Sequence, residues 1–369
     1  MKTAILISCF DWYKSRLEPI KKYFEKRGYD VRVLTSDFDH IRKEKIIDKN
    51  PDCMYIPVIK YKKNISIARI LSHYFFSRNI NRYLNDTKPD LIYAVLPPNS
   101  IADVCGKYKK CNQRTVLVFD IIDMWPESMP MKRLHKTLPF EFWRKLRDSN
   151  LSIADHIFTE CSLYQDRIPK EYRAKSSTLY LFKNQNNDIK FNNPSRTVSK
   201  KTLKLCYLGS INHIIDINGI CRVVKTLCNN YEVEVRVIGK GESKDRFLDE
   251  LSKTGSEVKY YGPVFDEEEK VSILSECDYA FNMMIESVSV GLSIKSIDYM
   301  SYGLPLINNL KGDTWNIVEK EGIGINILKD GNIDVLPVIS HRHVYEVFNK
   351  LFSKNAFDRM MTNMLDKII

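Results

Sequence analysis

The residues best suited to chemistry lie between positions 287 and 308, SVSVGLSIKSIDYMSYGLPLIN. A polar loop (287–293) feeds a helix over 294–302, Gly303 ends it, and a short apolar strand follows over 304–307. The backbone N–H groups of Gly291, Leu292 and Ser293, at the positive end of a helix dipole, suit an anion. One turn further in, Lys295 adds a full positive charge and Asp298 an acceptor. This layout fits a diphosphate bearing a ribose, with the cation on the phosphates and the carboxylate on the sugar hydroxyls. Loop, helix and strand recur throughout α/β proteins, so the elements around this stretch have to carry the case.

Alternating apolar runs and amphipathic stretches supply those elements. In the first half, strands are expected over 4–8, 30–35, 90–95, 114–122, 156–159 and 178–181, with helices over 15–27, 100–108 and 138–154. A second series holds strands over 203–208, 232–238, 258–261 and 279–283, with helices between them. Such alternation implies parallel sheets with right-handed crossovers and ligands at the carboxyl ends of the strands. Three strand ends of the second series run into glycine: Gly209 with Ser210; Gly239, Lys240 and Gly241; and Gly262. They converge on the end of the sheet where the 287–293 loop sits.

Length agrees with two such domains, since 369 residues exceed one ordinary core. The expected division is an N-terminal domain over 1–185, an Asn- and Ser-rich linker over 186–201, a C-terminal domain over 202–340, and helices over 341–369 that pack back on the first domain. Apolar content of 44% and charged content of 28% are those of a globular protein. A formal charge of +11 points to an anionic partner, but no nucleic-acid-reading motif is present, so no nucleic acid is expected. Nine cysteines without metal or redox spacing suit a reducing cytoplasm. No run approaches the ~18 apolar residues of a membrane span.

Basic residues alternate with large apolar ones in two segments of the first half. Lys60, Lys62, Lys63, Arg69, Arg78 and Arg82 lie among Ile65, Ile67, Ile70, Leu71, Tyr74 and Phe75; Lys132, Arg133, Lys136, Arg144, Lys145 and Arg147 lie among Leu134, Leu138, Phe142 and Trp143. Either segment is an ordinary amphipathic helix or a surface for an anionic membrane, which would place the chain peripherally on the inner face of the cell membrane. Asp37 and Asp39 match a D-x-D metal motif but are read as a solvated loop, and no metal is expected.

The ordered segments YLGSI, VIGKG, YYGPV, ECDYAFNMM and VGLSIKSIDYMSYGLPLI resemble the nucleotide-binding domain of a family 4 glycosyltransferase of the bacterial capsule and exopolysaccharide type, and DMWPES is similar to a segment of the acceptor domain in that family. The resemblance implies the GT-B fold, two Rossmann-like domains with parallel sheets facing a central cleft. It also implies retaining, metal-independent, hexosyltransferase-type transfer from a nucleotide-sugar donor, with uridine as the base, to a lipid-linked or oligosaccharide acceptor. By position, Gly291, Leu292 and Ser293 meet the diphosphate, Asp298 the ribose, Gly209 and Ser210 the phosphate or sugar, and Gly239, Gly241 and Val264, with Lys240, the base and its ribose.

In the first domain Asp123 is the acid expected to touch the acceptor, as base or orienter, unless it caps a turn. Glu127 is a second candidate, and Trp125 is either a platform for a sugar face or a core residue. Two departures stand out. Val290 occupies the position eight before Asp298 where family members carry an acid, Glu286 being out of register, and the GSINHIIDING segment lacks the usual Arg and Lys. Lys240 and Lys295 are expected to supply that charge. The alternative is a catalytically silent GT-B subunit that partners another glycosyltransferase.

Overall fold

A computed structural model describes all residues except 11–13, 65, 130–135, 186–201, 289, 329 and 330, with the side chains of 14 and 15 also outside the description. The chain forms two compact units, Met1–Leu181 with Asp358–Ile369, and Phe182–Phe357. The expected linker and Lys132, Arg133, Leu134 and Ile65 lie outside the described residues.

In the first unit the elements run β1 (Lys2–Ile7), α1 (Lys14–Glu25), β2 (Tyr29–Ser36), β3 (Phe38–Asp39), β4 (Glu44–Lys45), β5 (Cys53–Ile56), α2 (Ile67–Thr87), β6 (Leu91–Leu96), α3 (Asn99–Cys111), β7 (Val116–Ile121), α4 (Leu138–Leu151), β8 (His156–Thr159), α5 (Ser162–Arg167) and β9 (Ser176–Thr178). Seven strands pair in the order β5-β2-β1-β6-β7-β8-β9, every neighbouring pair parallel. Ala4–Ile7 and all of β6 are buried, as strands covered on both faces by crossover helices must be. Asp37 and Asp39 do not sit in a solvated loop. Phe38–Asp39 pairs antiparallel with Glu44–Lys45, and Lys45 holds Asp37 at 2.5 and 2.6 Å.

The second unit continues with β10 (Thr202–Leu208), α6 (Ile217–Leu227), β11 (Glu232–Ile238), α7 (Lys244–Ser252), β12 (Glu257–Gly262), α8 (Glu267–Leu274), β13 (Tyr279–Asn282), α9 (Ile294–Ser301), β14 (Leu306–Asn308), α10 (Asp313–Glu321), β15 (Gly324–Asn326) and α11 (His341–Leu351), and the last helix, α12 (Lys354–Leu365), begins in it and lies mostly in the first unit. Its sheet is also parallel, in the order β12-β11-β10-β13-β14-β15. The strand order reverses between β10 and β13, so a crevice opens at their carboxyl ends, where Gly209 and the loop to α9 emerge.

The tail is not one piece, contrary to the expectation for 341–369. Helix α11 belongs to the second unit, burying Val344, Val347 and Phe348, whereas residues from Asp358 onward belong to the first. There Asp366 accepts from the Tyr23 hydroxyl at 2.6 Å and pairs with Arg27.

Candidate active site

Three loops meet at the carboxyl end of the second sheet. Gly239 has φ +142°, and a Cβ on it would stand 1.9 Å from the carbonyl oxygen of Gly209; a Cβ on Gly241 would stand 2.2 Å from that of Ile211. Only glycine permits so close an approach. Two bonds zip the loops together, Ile211 N–H to the Lys240 carbonyl at 2.9 Å and Ser243 N–H to the Ile211 carbonyl at 3.0 Å.

Helix α9 closes the site from the other side. Ser293 is its N-cap: Oγ accepts from Ser296 N–H at 3.0 Å and donates to Asn282 Oδ1 at 2.7 Å. Asn282 donates to Asn308, and Asn308 to Asn326, each at 2.7 Å, so the last residues of β13, β14 and β15 form a buried amide ladder that fixes the cap. Tyr299, fully buried, accepts from Leu208 N–H at 2.8 Å and donates to the Leu208 carbonyl at 3.2 Å, tying α9 to the end of β10. The Gly291 carbonyl accepts from the Thr314 N–H at 2.9 Å. With this loop held on all sides, the backbone N–H groups of residues 291–295 have no protein acceptor among the described residues. Five unpaired donors at a helix N-terminus form a ready anion site.

Lys295 lies over the first glycine loop, where a Cβ on Gly209 would be 3.0 Å from its Cε. Its ammonium donates to the Tyr207 hydroxyl and, at 3.2 Å, to the Ser210 carbonyl, and stands 4.3 Å from the centre of the Tyr207 ring. Burial among these neutral groups lowers its pKa to about 8. Helix α9 thus places a cation beside the first glycine loop, whose own GSINHIIDING segment has no Arg or Lys. Lys240, the other candidate, is exposed, and its ammonium has no protein partner among the described residues. Val264 is buried just beyond β12. Asp298 is half-buried and accepts from Lys183 Nζ at 3.0 Å. Glu286 is exposed, and Val290 leaves the expected acidic position apolar.

In the first unit Asp123 follows β7 at the carboxyl end of the sheet and accepts from the Ser128 hydroxyl. Burial pushes its pKa up, against the hydrogen bonds from Ser128, Trp125 and the Met124 N–H. Both further acceptor candidates are engaged by neighbouring side chains, and the burial of Trp125 corrects its reading as a platform. Trp125 is 8% exposed, its ring 4.4 Å from the Arg69 guanidinium and packed with Phe10, His73 and Trp143, so it is a core residue and not a sugar platform. Glu127 is bound by the buried Arg147 guanidinium at 2.7 and 3.2 Å, and Arg147 also holds the Trp125 carbonyl at 3.0 Å. Both serve to fix the loop that carries Asp123. Arg69 and Arg147 are therefore buried and do not belong to a basic outer surface.

One acid escaped the sequence reading. Glu160 follows β8 directly, its N–H bonded to the Ile121 carbonyl at 2.9 Å. Burial raises its pKa to about 8 against the pull of Arg16, with Asp123 and Asp120 adding to the rise. The rule that selected Asp123, the first acid past a buried strand, also selects Glu160 in HIFTEC. Among the described residues no group of three or more His, Cys, Asp or Glu side chains forms a metal-holding cluster, and none of the nine cysteines forms a disulfide.

Two Rossmann-like units with parallel sheets define the GT-B fold. Solved structures of that fold resemble the chain. The lipopolysaccharide outer core galactosyltransferase WaaB in its apo form matches with a TM-score of 0.69 and 14% identity over 100% of both chains. Sucrose-phosphate synthase from Thermosynechococcus elongatus matches at 0.64 and 13%, over 100% of this chain and 99% of that one. Anabaena HepE in complex with UDP and glucose matches at 0.61 and 12%, over 100% of both. Residues 202–333, within the second unit, match the family model for glycosyl transferases group 1. No curated protein matches the sequence.

Proposed function

We propose that the chain is a retaining glycosyltransferase that moves a hexose from a UDP-sugar to a lipid-linked or oligosaccharide acceptor in bacterial surface polysaccharide assembly. The observation that carries this proposal is the row of unpaired N–H groups at 291–295 beside Lys295. Negative charge gathers on the diphosphate as the glycosidic bond breaks, and fixed dipoles aimed at that charge are the largest expected catalytic contribution. The N–H row and Lys295 meet the charge, so the proposed transfer uses no metal. Asp298 takes the ribose hydroxyls, and Gly209, Ser210, Gly239, Lys240, Gly241 and Val264 line the rest of the donor site. The acceptor hydroxyl attacks from the face the diphosphate leaves, with Asp123 as its base or orienter. HepE, solved with UDP and glucose, and WaaB, a galactosyltransferase, support the donor class and reaction type. The acceptor is proposed to reach the first unit at an anionic membrane surface. No described helix is long and apolar enough to cross a membrane.

A second reading, a silent subunit that partners another transferase, is favoured by Val290 at the expected acidic position. A thermal-shift screen against UDP, GDP, ADP and their sugars, with and without EDTA, separates the two. A nucleotide at 100 times its dissociation constant adds about 2.7 kcal/mol of stability. We expect a selective response to a uridine nucleotide that EDTA leaves unchanged. Silence toward every nucleotide overturns the transferase and leaves the subunit.

A further inference from the structure

Among the described residues a single side chain binds the Asp298 carboxylate, and it comes from outside every motif in the sequence. Lys183 lies 115 positions away, in the stretch that leads out of the first sheet, and its ammonium reaches Asp298 Oδ1 at 3.0 Å. Both ends of Lys183 are held. Its N–H donates to the Phe352 carbonyl at 2.9 Å and its backbone bridges to Ser353, while the ammonium stands 4.6 Å from the centre of the Tyr302 ring. That ring is itself anchored through its hydroxyl to Glu267.

We propose that Lys183 is a positioning residue for the donor's ribose: it fixes the Asp298 carboxylate in the orientation that receives the sugar hydroxyls. The inference rests on the donor-site reading above. An ionised carboxylate has about four acceptor sites, and here a single cation occupies one of them. Oδ2 accepts no protein donor among the described residues. A ribose diol is neutral, so it adds to the Lys183–Asp298 pair without a change in charge. The donor's negative charge falls instead on the N–H row and Lys295, one turn earlier on α9. Lys183 thus acts on the ribose and not on the diphosphate. The two side chains remain 32% and 30% exposed, where an ion pair contributes little to folding stability, so a variant at Lys183 keeps its fold.

The test is calorimetric titration of UDP, GDP and ADP, and of their 2′,3′-dideoxy analogues, into the wild type, Lys183→Ala, Lys183→Arg and Asp298→Ala. The wild type prefers the ribonucleotide. In Lys183→Ala that preference drops about tenfold, the scale of one charge-assisted hydrogen bond, while affinity for the dideoxy form stays constant. Lys183→Arg restores the preference, and Asp298→Ala abolishes it. A preference unchanged in Lys183→Ala overturns the role of Lys183 alone, as does tighter binding of both forms, which would make Lys183 a competitor of the sugar. A wild type that binds none of the three nucleotides removes the donor reading and this inference with it.

Discussion

Lys295 is the residue on which the electrostatics of the donor site turn. A lysine with a pKa lowered to about 8 carries its charge only part of the time at mildly alkaline pH, because its neighbours are a phenol, a carbonyl and a ring face and no carboxylate among the described residues pairs with it. Burial pushes the Tyr207 phenol up as well, so that neighbour stays neutral and donates to the Ser210 carbonyl at 2.7 Å. A bound diphosphate stabilises the charged ammonium and raises its pKa. Nucleotide affinity therefore falls as pH rises through about 8 toward the ordinary lysine value of 10.5, and binding in that window takes up a proton. Titrations between pH 7 and 9.5, in buffers of different ionisation enthalpy, read both effects. Lys295→Met should weaken binding by about tenfold at pH 7, a typical charge-assisted contact, and remove the pH dependence. A wild-type affinity that is flat across this range contradicts the assignment.

Helix α2 presents two different faces. Phe76, Ile80 and Leu84 point into the core with Arg69 and His73, while Ile67, Ile70, Leu71, Tyr74 and Phe75 stay exposed at the spacing of one helical stripe. Exposed Arg78 and Arg82 continue along the helix, exposed Lys60, Lys62 and Lys63 precede it, and Leu138 and Phe142 of α4 are exposed as well. Apolar side chains rimmed by lysine and arginine suit a bilayer carrying anionic lipid, where each basic residue near the surface adds about 1 kcal/mol at physiological ionic strength. Co-sedimentation with phosphatidylglycerol vesicles is expected at low salt and should weaken severalfold in high salt as the charges are screened. Ile67→Ser with Ile70→Ser, at sites 76% and 58% exposed, should reduce binding without loss of thermal stability. Absence of binding at low salt, or full binding by the double variant, contradicts the membrane reading.

Across the molecule, what the sequence made legible follows from how each feature is encoded. The long central strand β6 is a contiguous apolar run, because both faces of a parallel sheet are covered, and β10 and β11 stay rich in Leu, Val and Ile although Lys204, Glu234 and Arg236 interrupt them. The edge strands β5 and β15 escaped notice, being four and three residues long and half-exposed. Helix α2 was hard to read because apolar residues on two faces blur the 3.6-residue period. The glycine loops and the cap at Ser293 were visible because close approach and capping demand particular residue types. Lys183 with Asp298, and Arg147 with Glu127, were not visible: an ion pair is set by the tertiary path, and neither partner carries a local mark of the other. The account depends most on where the diphosphate sits. An amide-resolved NMR titration of the full chain with UDP measures this directly. It should shift the N–H signals of residues 291–295 first, those of Gly209 and Gly239 with them, and leave the amides following β7 and β8 unmoved. Shifts confined to other residues, or none at saturating UDP, would contradict it.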